Sequence, residues 1–436
     1  MNDMASRPEM DFAPKAPLHV DDMGLEMILM RDILLKTMFR RSLSVLPEIA
    51  DVLRVVPPIA QELIEAARAD NLVETLGSMA QLGSNEVRYQ LTDSGRARAM
   101  DALSQSEYYG ALPVPMEDYW KQTARQSIGD AVITQERLEN SMSHLVLPAG
   151  MLDQLGPAVN SGRSVLLYGP PGNGKSSISN GIRDALGDKI YVPRAIEYSG
   201  QVISVYDPIV HTIAEPTVDD AGTSLRRAGP NYDRRYLLCR RPSVMTGGEL
   251  TLGMLDLNYN SVSRTYQAPL QLKATGGVFI VDDLGRQSEP PQALINRWIV
   301  PMESSFDILS LQSGQKFMVP FDTLVIFSTN FLPSEMFDGA ALRRIYYKIK
   351  VDNPGRDDFI KIFIKIARHY KLNPDEGVLT HLLKTKYPEV NNQFASYHAP
   401  FLIDQMLSIA DYEGLPREMS VNLVDRAWAN LFVDES

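Results

Sequence analysis

Apolar residues follow three successive rhythms along the 436 positions. From 23 to 105 they first repeat at helical spacing. Met23–Met38 carries a dense set, Ser44–Leu53 a shorter one, and Pro57–Ala69 opens with proline where a first helical turn accepts it. Leu72–Gln81 and Glu86–Leu91 then read as extended stretches around Leu82-Gly83-Ser84-Asn85, with a short helix over Asp93–Leu103. The prediction is helix, helix, helix, hairpin, helix. Residues 106–130 break the rhythm with glycine, two prolines and aromatics, and read as a linker. Across 131–350, nearly continuous apolar runs alternate with helical stretches. Ser164–Tyr168, Val278–Val281 and Thr323–Ser328 each suit a strand buried on both faces, and together they predict a parallel α/β sheet. Residues 355–432 hold four helical patterns and no clear strand, and 351–436 read as a helical lid. Residues 1–22 are polar, acidic and proline-rich, which predicts a disordered tail.

Composition narrows the class. Apolar content is 44% and no stretch approaches the roughly 18 apolar residues of a membrane span, so no membrane insertion is expected. The N-terminus is unlike a signal or transit peptide. A single cysteine, Cys239, excludes an intrachain disulfide framework and a cysteine-based zinc site, and reads as a small buried hydrophobe. The net charge of −11 argues against a nucleic-acid coat. A soluble, cytoplasmic, multidomain protein is expected.

The chemistry begins where the first core strand ends. Gly169-Pro170-Pro171-Gly172-Asn173-Gly174-Lys175-Ser176, followed by Ser177, is a G-x-x-x-x-G-K-S phosphate-binding loop between strand and helix. Its glycines allow backbone N–H groups to face phosphate oxygens. Lys175 suits the β- and γ-phosphates of a nucleoside triphosphate, the Ser176 hydroxyl a Mg²⁺ ion, and the helix N-terminus adds partial positive charge.

A second apolar strand runs into Asp282-Asp283, and a third, Asp322–Asn330, ends in asparagine. Paired acids at the end of a buried strand are costly without a task. Asp282 suits the Mg²⁺ shell, Asp283 the attacking water, and Asn330 a position beside the γ-phosphate. Arg343 follows Asn330 by thirteen positions, and Arg344 comes next. A rigid guanidinium there suits charge developing on a phosphate.

In this order the motifs resemble the AAA+ ATPases over roughly 131–432: Walker A at 169–176, Walker B at 278–283, sensor 1 at Asn330, and an arginine finger at Arg343 or Arg344. GPAVNSGRSVLLYGPPGNGKS, RRPSVMTGGELTL and FDGAALRRIYYKI are similar to a family of bacterial AAA+ proteins without a sharply defined role. The resemblance implies a P-loop parallel-sheet core with a C-terminal helical lid. It also implies ATP and Mg²⁺ as ligands, and a homo-oligomeric ring, usually a hexamer, with ATP held between neighbours. Three departures stand out. Asp283 replaces the commoner glutamate. The lid segment Tyr397-His398-Ala399-Pro400 carries no sensor 2 arginine, and Arg417 and Arg426 are poor substitutes by position. Finally, 107 positions separate Lys175 from Asp282.

That long interval holds IYVPRAIEYSGQVISVYDP, which alternates like a hairpin turning at Ser199-Gly200. Its Tyr191, Tyr198 and Tyr206 read as hairpin packing in preference to a substrate grip. Residues 223–241 carry six arginines against one aspartate, either a solvated or inter-subunit surface or a pore or nucleic-acid contact. Phe306–Phe321 reads as a second hairpin with Ser313-Gly314 at its tip, where one AAA+ superclade carries a pore-facing hairpin. The N-terminal order resembles a winged-helix α+β domain. The helix that would enter DNA, Pro57–Asp70, holds Glu62, Glu65 and Asp70 against Arg68, which favours a protein partner over DNA. The expected activity is ATP hydrolysis in a ring that remodels or threads a protein. The alternatives are an ATP-dependent DNA loader or transcription regulator, and a nucleotide-gated scaffold with slow turnover.

Overall fold

The computed structural model describes residues 12–78, 87–214 and 232–432. The N-terminal elements follow the predicted order: α1 (Met27–Arg41), α2 (Leu46–Leu53), α3 (Pro57–Ala69), β1 (Val73–Ser78), β2 (Val87–Leu91) and α4 (Asp93–Gln105). α3 begins at its proline and buries Ile59, Ala60, Leu63, Ile64 and Ala67, one apolar stripe against α1 and α2. β1 and β2 pair antiparallel, and the predicted turn at 82–85 lies outside the described residues. α1 starts at Met27, not Met23, because Gly24 at φ 64 ends a preceding 3₁₀ turn. The tail differs from its expectation over 12–22. The Phe12 carbonyl accepts from Gln122 Nε2 at 2.9 Å, Asp233 N donates to the Pro14 carbonyl at 2.9 Å, and Val20 is buried. These contacts offset the ordering entropy that composition alone left uncompensated.

The linker also carries structure. β3 (Val114–Pro115) and α5 (Met116–Arg125) occupy it, and α5 buries Tyr119, Gln122 and Thr123. The core follows with α6 (Gln135–Ser141), α7 (Met151–Asn160), β4 (Val165–Tyr168), α8 (Lys175–Ala185), β5 (Lys189–Pro193), β6 (Ala195–Tyr198), β7 (Gln201–Ser204), β8 (Tyr236–Arg240) and β9 (Ser243–Thr246). It continues through β10 (Asn258–Asn260), β11 (Thr265–Gln267), α9 (Leu270–Lys273), β12 (Val278–Val281), α10 (Pro291–Ser304), β13 (Phe306–Ser310), β14 (Lys316–Pro320), β15 (Leu324–Thr329), α11 (Pro333–Met336), α12 (Gly339–Arg344) and β16 (Tyr347–Lys350).

Five of these strands form a wholly parallel sheet in the order β16-β4-β15-β12-β9. Side chains alternate between its faces. Leu167, Ile280 and Ile326 pack with α7 and α8 on one side, while Leu166, Phe279 and Phe327 pack with α10 and its Trp298 on the other. The three central strands are those predicted. The edge strands β9 and β16 are additional, with two of four and one of four positions buried, so neither shows a continuous apolar run.

The interval after α8 departs from a single hairpin. β6 and β7 do pair across Ser199-Gly200, both in the left-handed region at φ 50 and 76. β5, however, pairs with β8, and β6 and β7 join a mixed sheet, β10-β11-β7-β6-β3. The tyrosines pack within the chain but not within one hairpin: Tyr191, on β5, against Phe12 and Tyr232, Tyr198 stacked on Phe317, Tyr206 on His211. Cys239 is fully buried, and burial pushes its thiol up to about 12.

The C-terminal part is helical: α13 (Arg356–His369), α14 (Glu376–His381), α15 (Tyr387–Glu389), α16 (His398–Glu413) and α17 (Val421–Leu431) around buried Phe359, Phe363, Tyr387 and Trp428. The fold is thus an α/β phosphate-loop core with a C-terminal helical part. Among the described residues no helix is long and apolar enough to cross a membrane.

Candidate functional site

The phosphate loop leaves β4 at Gly169 and enters α8 at Lys175, so its glycines carry the chain round a tight bend at φ 139, 77 and 84 for Gly169, Gly172 and Gly174. Two of them are also needed for space. A Cβ on Gly169 would lie 2.3 Å from the Val351 carbonyl oxygen, and one on Gly172 would lie 2.2 Å from the Tyr397 ring. Lys175 is buried, and its Nζ donates to the loop's own carbonyls, Gly169 O at 2.9 Å and Pro170 O at 2.8 Å. Burial holds its ammonium below the ordinary lysine value, opposed by the charges of Asp283 and Asp282.

The parallel strands bring the predicted partners to the loop. The Ser176 hydroxyl donates to Asp282 Oδ2 at 2.6 Å, across 106 positions of sequence. Asn330 Nδ2 donates to Asp283 Oδ1 at 3.1 Å. Asp283 itself sits at φ 49, a left-handed conformation costing a non-glycine residue about 1–2 kcal/mol. Ser328 was not singled out from the sequence, yet its hydroxyl donates to Asp282 Oδ1. The available signal was its polar side chain near the end of an otherwise apolar strand, two positions before Asn330. Among the described residues no group of three or more His, Cys, Asp or Glu side chains could hold a metal. A divalent ion here would rest on Ser176 and Asp282.

A cleft of about 360 Å³ opens beside the loop. Gly172, Asn173, Gly174 and Ser177 form its floor, Val146 and Leu147 one wall, and Ile362, Ile366, Tyr397 and Pro400 of the helical part the other. Local sequence reasoning missed these walls because they come from three distant segments. The helical part is tied to the loop at several points. Asn173 Nδ2 donates to Asn353 Oδ1 at 2.7 Å, Ser396 N donates to Asn173 Oδ1 at 3.1 Å, and Tyr397 N donates to the Gly172 carbonyl at 2.9 Å. Lys365 Nζ reaches the carbonyls of Ser143 and Leu145. Arg417 and Arg426 are spent on exposed pairs with Asp411 and Glu413.

His398, next to Tyr397, is buried, 3.0 Å from the Tyr387 hydroxyl, and burial lowers its imidazole from 6.5 to about 4. Between those values the unfolded chain binds a proton that the folded chain refuses, so stability falls as pH drops through that window, by roughly 3 kcal/mol in all. His398→Gln, which keeps a partner for Tyr387, is expected to flatten the fall in Tm between pH 7 and 5. An equal fall in both proteins would place the effect elsewhere.

The family model that matches is described as a domain of unknown function, DUF8689, and covers residues 355–430, the helical part. No curated protein matches the sequence. Among solved structures, the chain is similar to NtrX from Brucella abortus in complex with ADP, at 13% identity and a TM-score of 0.39, covering 66% of this chain. It spans 56% of the NtrX chain. It is also similar to a mutant RuvB from Thermotoga maritima, at 14% identity and a TM-score of 0.35, covering 71% of this chain and 74% of that one.

The two arginines separate. Arg344 Nε donates to Glu303 Oε1 at 2.7 Å and its Nη1 to the Ala340 carbonyl at 3.1 Å. Arg343 is exposed, its Nε donates to the Gly339 carbonyl at 3.2 Å, and among the described residues it has no carboxylate partner. Within the basic stretch, Arg226 and Arg227 lie outside the described residues. Arg234 pairs with Asp51, Arg235 is buried against Asp233, and Arg241 binds Asp188. The second predicted hairpin is present as β13 and β14, with Gln315 near its tip bonded to Ser199 Oγ at 3.1 Å.

Proposed function

We propose that this chain is an ATPase of the AAA+ class. The observation that carries the reading is the convergence of Ser176 with Asp282, and of Asp283 with Asn330, at the loop end of three parallel strands. Loop N–H groups and Lys175 bind the phosphates, and the apolar cleft takes the base. Ser176 and Asp282 hold Mg²⁺, which when bound neutralises phosphate charge. Asp283 accepts the proton of the attacking water, and Asn330 fixes the carboxylate that does so.

Sites are completed in a homo-oligomeric ring, with six subunits as the expected number, by Arg343 of a neighbour. Arg344 is less suited because Glu303 already neutralises it. Residues 131–350 act as the ATPase core, 351–436 as its lid, and 23–105 as a winged-helix-like unit joined through 106–130. The ring works on a protein partner. Acidic α3, and arginines 234, 235 and 241 engaged within the chain, favour protein over DNA.

ATPase rate with and without DNA, and gel-filtration mass with and without ATP, test the reading. Turnover indifferent to DNA and a nucleotide-dependent ring mass are expected. Stimulation by DNA would favour a loader or transcription regulator. Binding without turnover would favour a nucleotide-gated scaffold.

A further inference from the structure

The turn after β12 carries Asp283 in a conformation that aspartate does not prefer, so something must hold it there. Neighbouring strands pin its flanks. Asp282 N donates to the Thr246 carbonyl at 2.7 Å, and Leu284 N donates to the Ser328 carbonyl at 2.7 Å. Within the turn, Arg286 N donates to the Asp283 carbonyl at 3.0 Å and the Thr329 hydroxyl to the Leu284 carbonyl at 2.7 Å, but the Asp282 carbonyl and Gly285 N are gripped by neither.

Gln287 supplies that grip with one side-chain amide. Its Nε2 donates to the Gly247 carbonyl at 2.9 Å, with longer contacts to the carbonyls of Asp282 at 3.3 Å and Asp283 at 3.4 Å. Its Oε1 accepts from Gly285 N at 2.9 Å. Gly247 directly follows β9, the strand beside β12, so the amide ties the turn to the end of the adjacent strand. Both ends of the amide are used, one as donor and one as acceptor; leucine can do neither, and an ionised glutamate can only accept.

We infer that Gln287 is a positioning residue for ATP hydrolysis, holding turn 282–286 so that the Asp283 carboxylate, bonded to Asn330, stands where water is activated. The inference rests on the hydrolytic reading of Asp283. It also accounts for the shorter acid: a carboxylate one methylene short of glutamate depends more on where its backbone is held.

Three full-length proteins test it, the wild type, Gln287→Leu and Gln287→Glu. Gln287→Leu is expected to lower kcat by roughly ten- to a hundredfold, as small misplacements of catalytic groups do, with the KM for ATP within about twofold and Tm little changed. It is also expected to speed amide deuterium exchange across 282–286. Gln287→Glu keeps the acceptor for Gly285 N but, when ionised, has no donor for the Gly247 carbonyl. It is expected to lose kcat as Gln287→Leu does, with the KM for ATP again within about twofold. An unchanged kcat in either variant, or a loss shared with KM and Tm, would overturn the inference. A wild type without ATP turnover defeats the hydrolytic reading instead. Deuterium exchange at 282–286 then judges Gln287 alone: faster exchange in Gln287→Leu supports its grip on the turn, and unaltered exchange overturns it.

Discussion

Lys175→Ala is expected to weaken ATP binding about a hundredfold or more. Lys175 is buried at the first turn of α8, with its ammonium resting on the carbonyls of Gly169 and Pro170. Phosphate oxygens carry far more negative charge than those carbonyls, so the same ammonium turns to them at little reorganisation. Charge-assisted hydrogen bonds contribute about 1.5–3 kcal/mol each, and losing two corresponds to two or more decades in Kd. Alanine also removes the Lys175 donor from the Gly169 carbonyl and leaves Pro170 only the longer bond from Asn173 Nδ2, which separates affinity loss from folding only if Tm is measured alongside. Titration with ATP by calorimetry decides the matter: an affinity equal to wild type, in a protein of unchanged Tm, would remove Lys175 from the site.

Arg343→Ala is expected to reduce ATP turnover about a thousandfold, the lower range for an arginine supplied to a transferring phosphoryl group. Arg344→Ala is expected to keep turnover within a few fold. The two residues are adjacent, but among the described residues only Arg344 has a carboxylate partner, Glu303 on α10, and that exposed pair contributes at most about 1 kcal/mol of stability. A guanidinium already neutralised would have to leave that partner to serve a neighbour's phosphate. Mixing supplies the sharper measurement. Subunits carrying Arg343→Ala and subunits carrying Asp283→Asn are each expected to be inactive alone. Combined, they regain part of the activity, because some interfaces pair an intact Asp283 with an intact Arg343. No recovery on mixing would show that Arg343 does not act across an interface.

Legibility in the sequence followed locality. The glycine pattern at 169–176 is a property of consecutive backbone angles. The runs at 165–168, 278–281 and 324–329 are continuous because both faces of each central strand are buried. Edge strands β9 and β16 were silent for the same reason reversed: water on one side lets polar residues alternate in. Residues 12–22 looked unstructured because their composition cannot support a core of its own. Their contacts are borrowed from Gln122 and Asp233, more than a hundred positions away.

By itself, then, the sequence determined the loop, the acids and asparagine at the strand ends, the three central strands and the helical character of the C-terminal part. Each of these is written in residue spacing and local backbone preference. Only the tertiary structure decided the strand order, the walls of the cleft, the separation of Arg343 from Arg344, and the hold of Gln287 and Ser328 on the paired aspartates. Those depend on hydrogen bonds and packing between segments tens to hundreds of positions apart, and no local periodicity records which distant partner a polar side chain will meet.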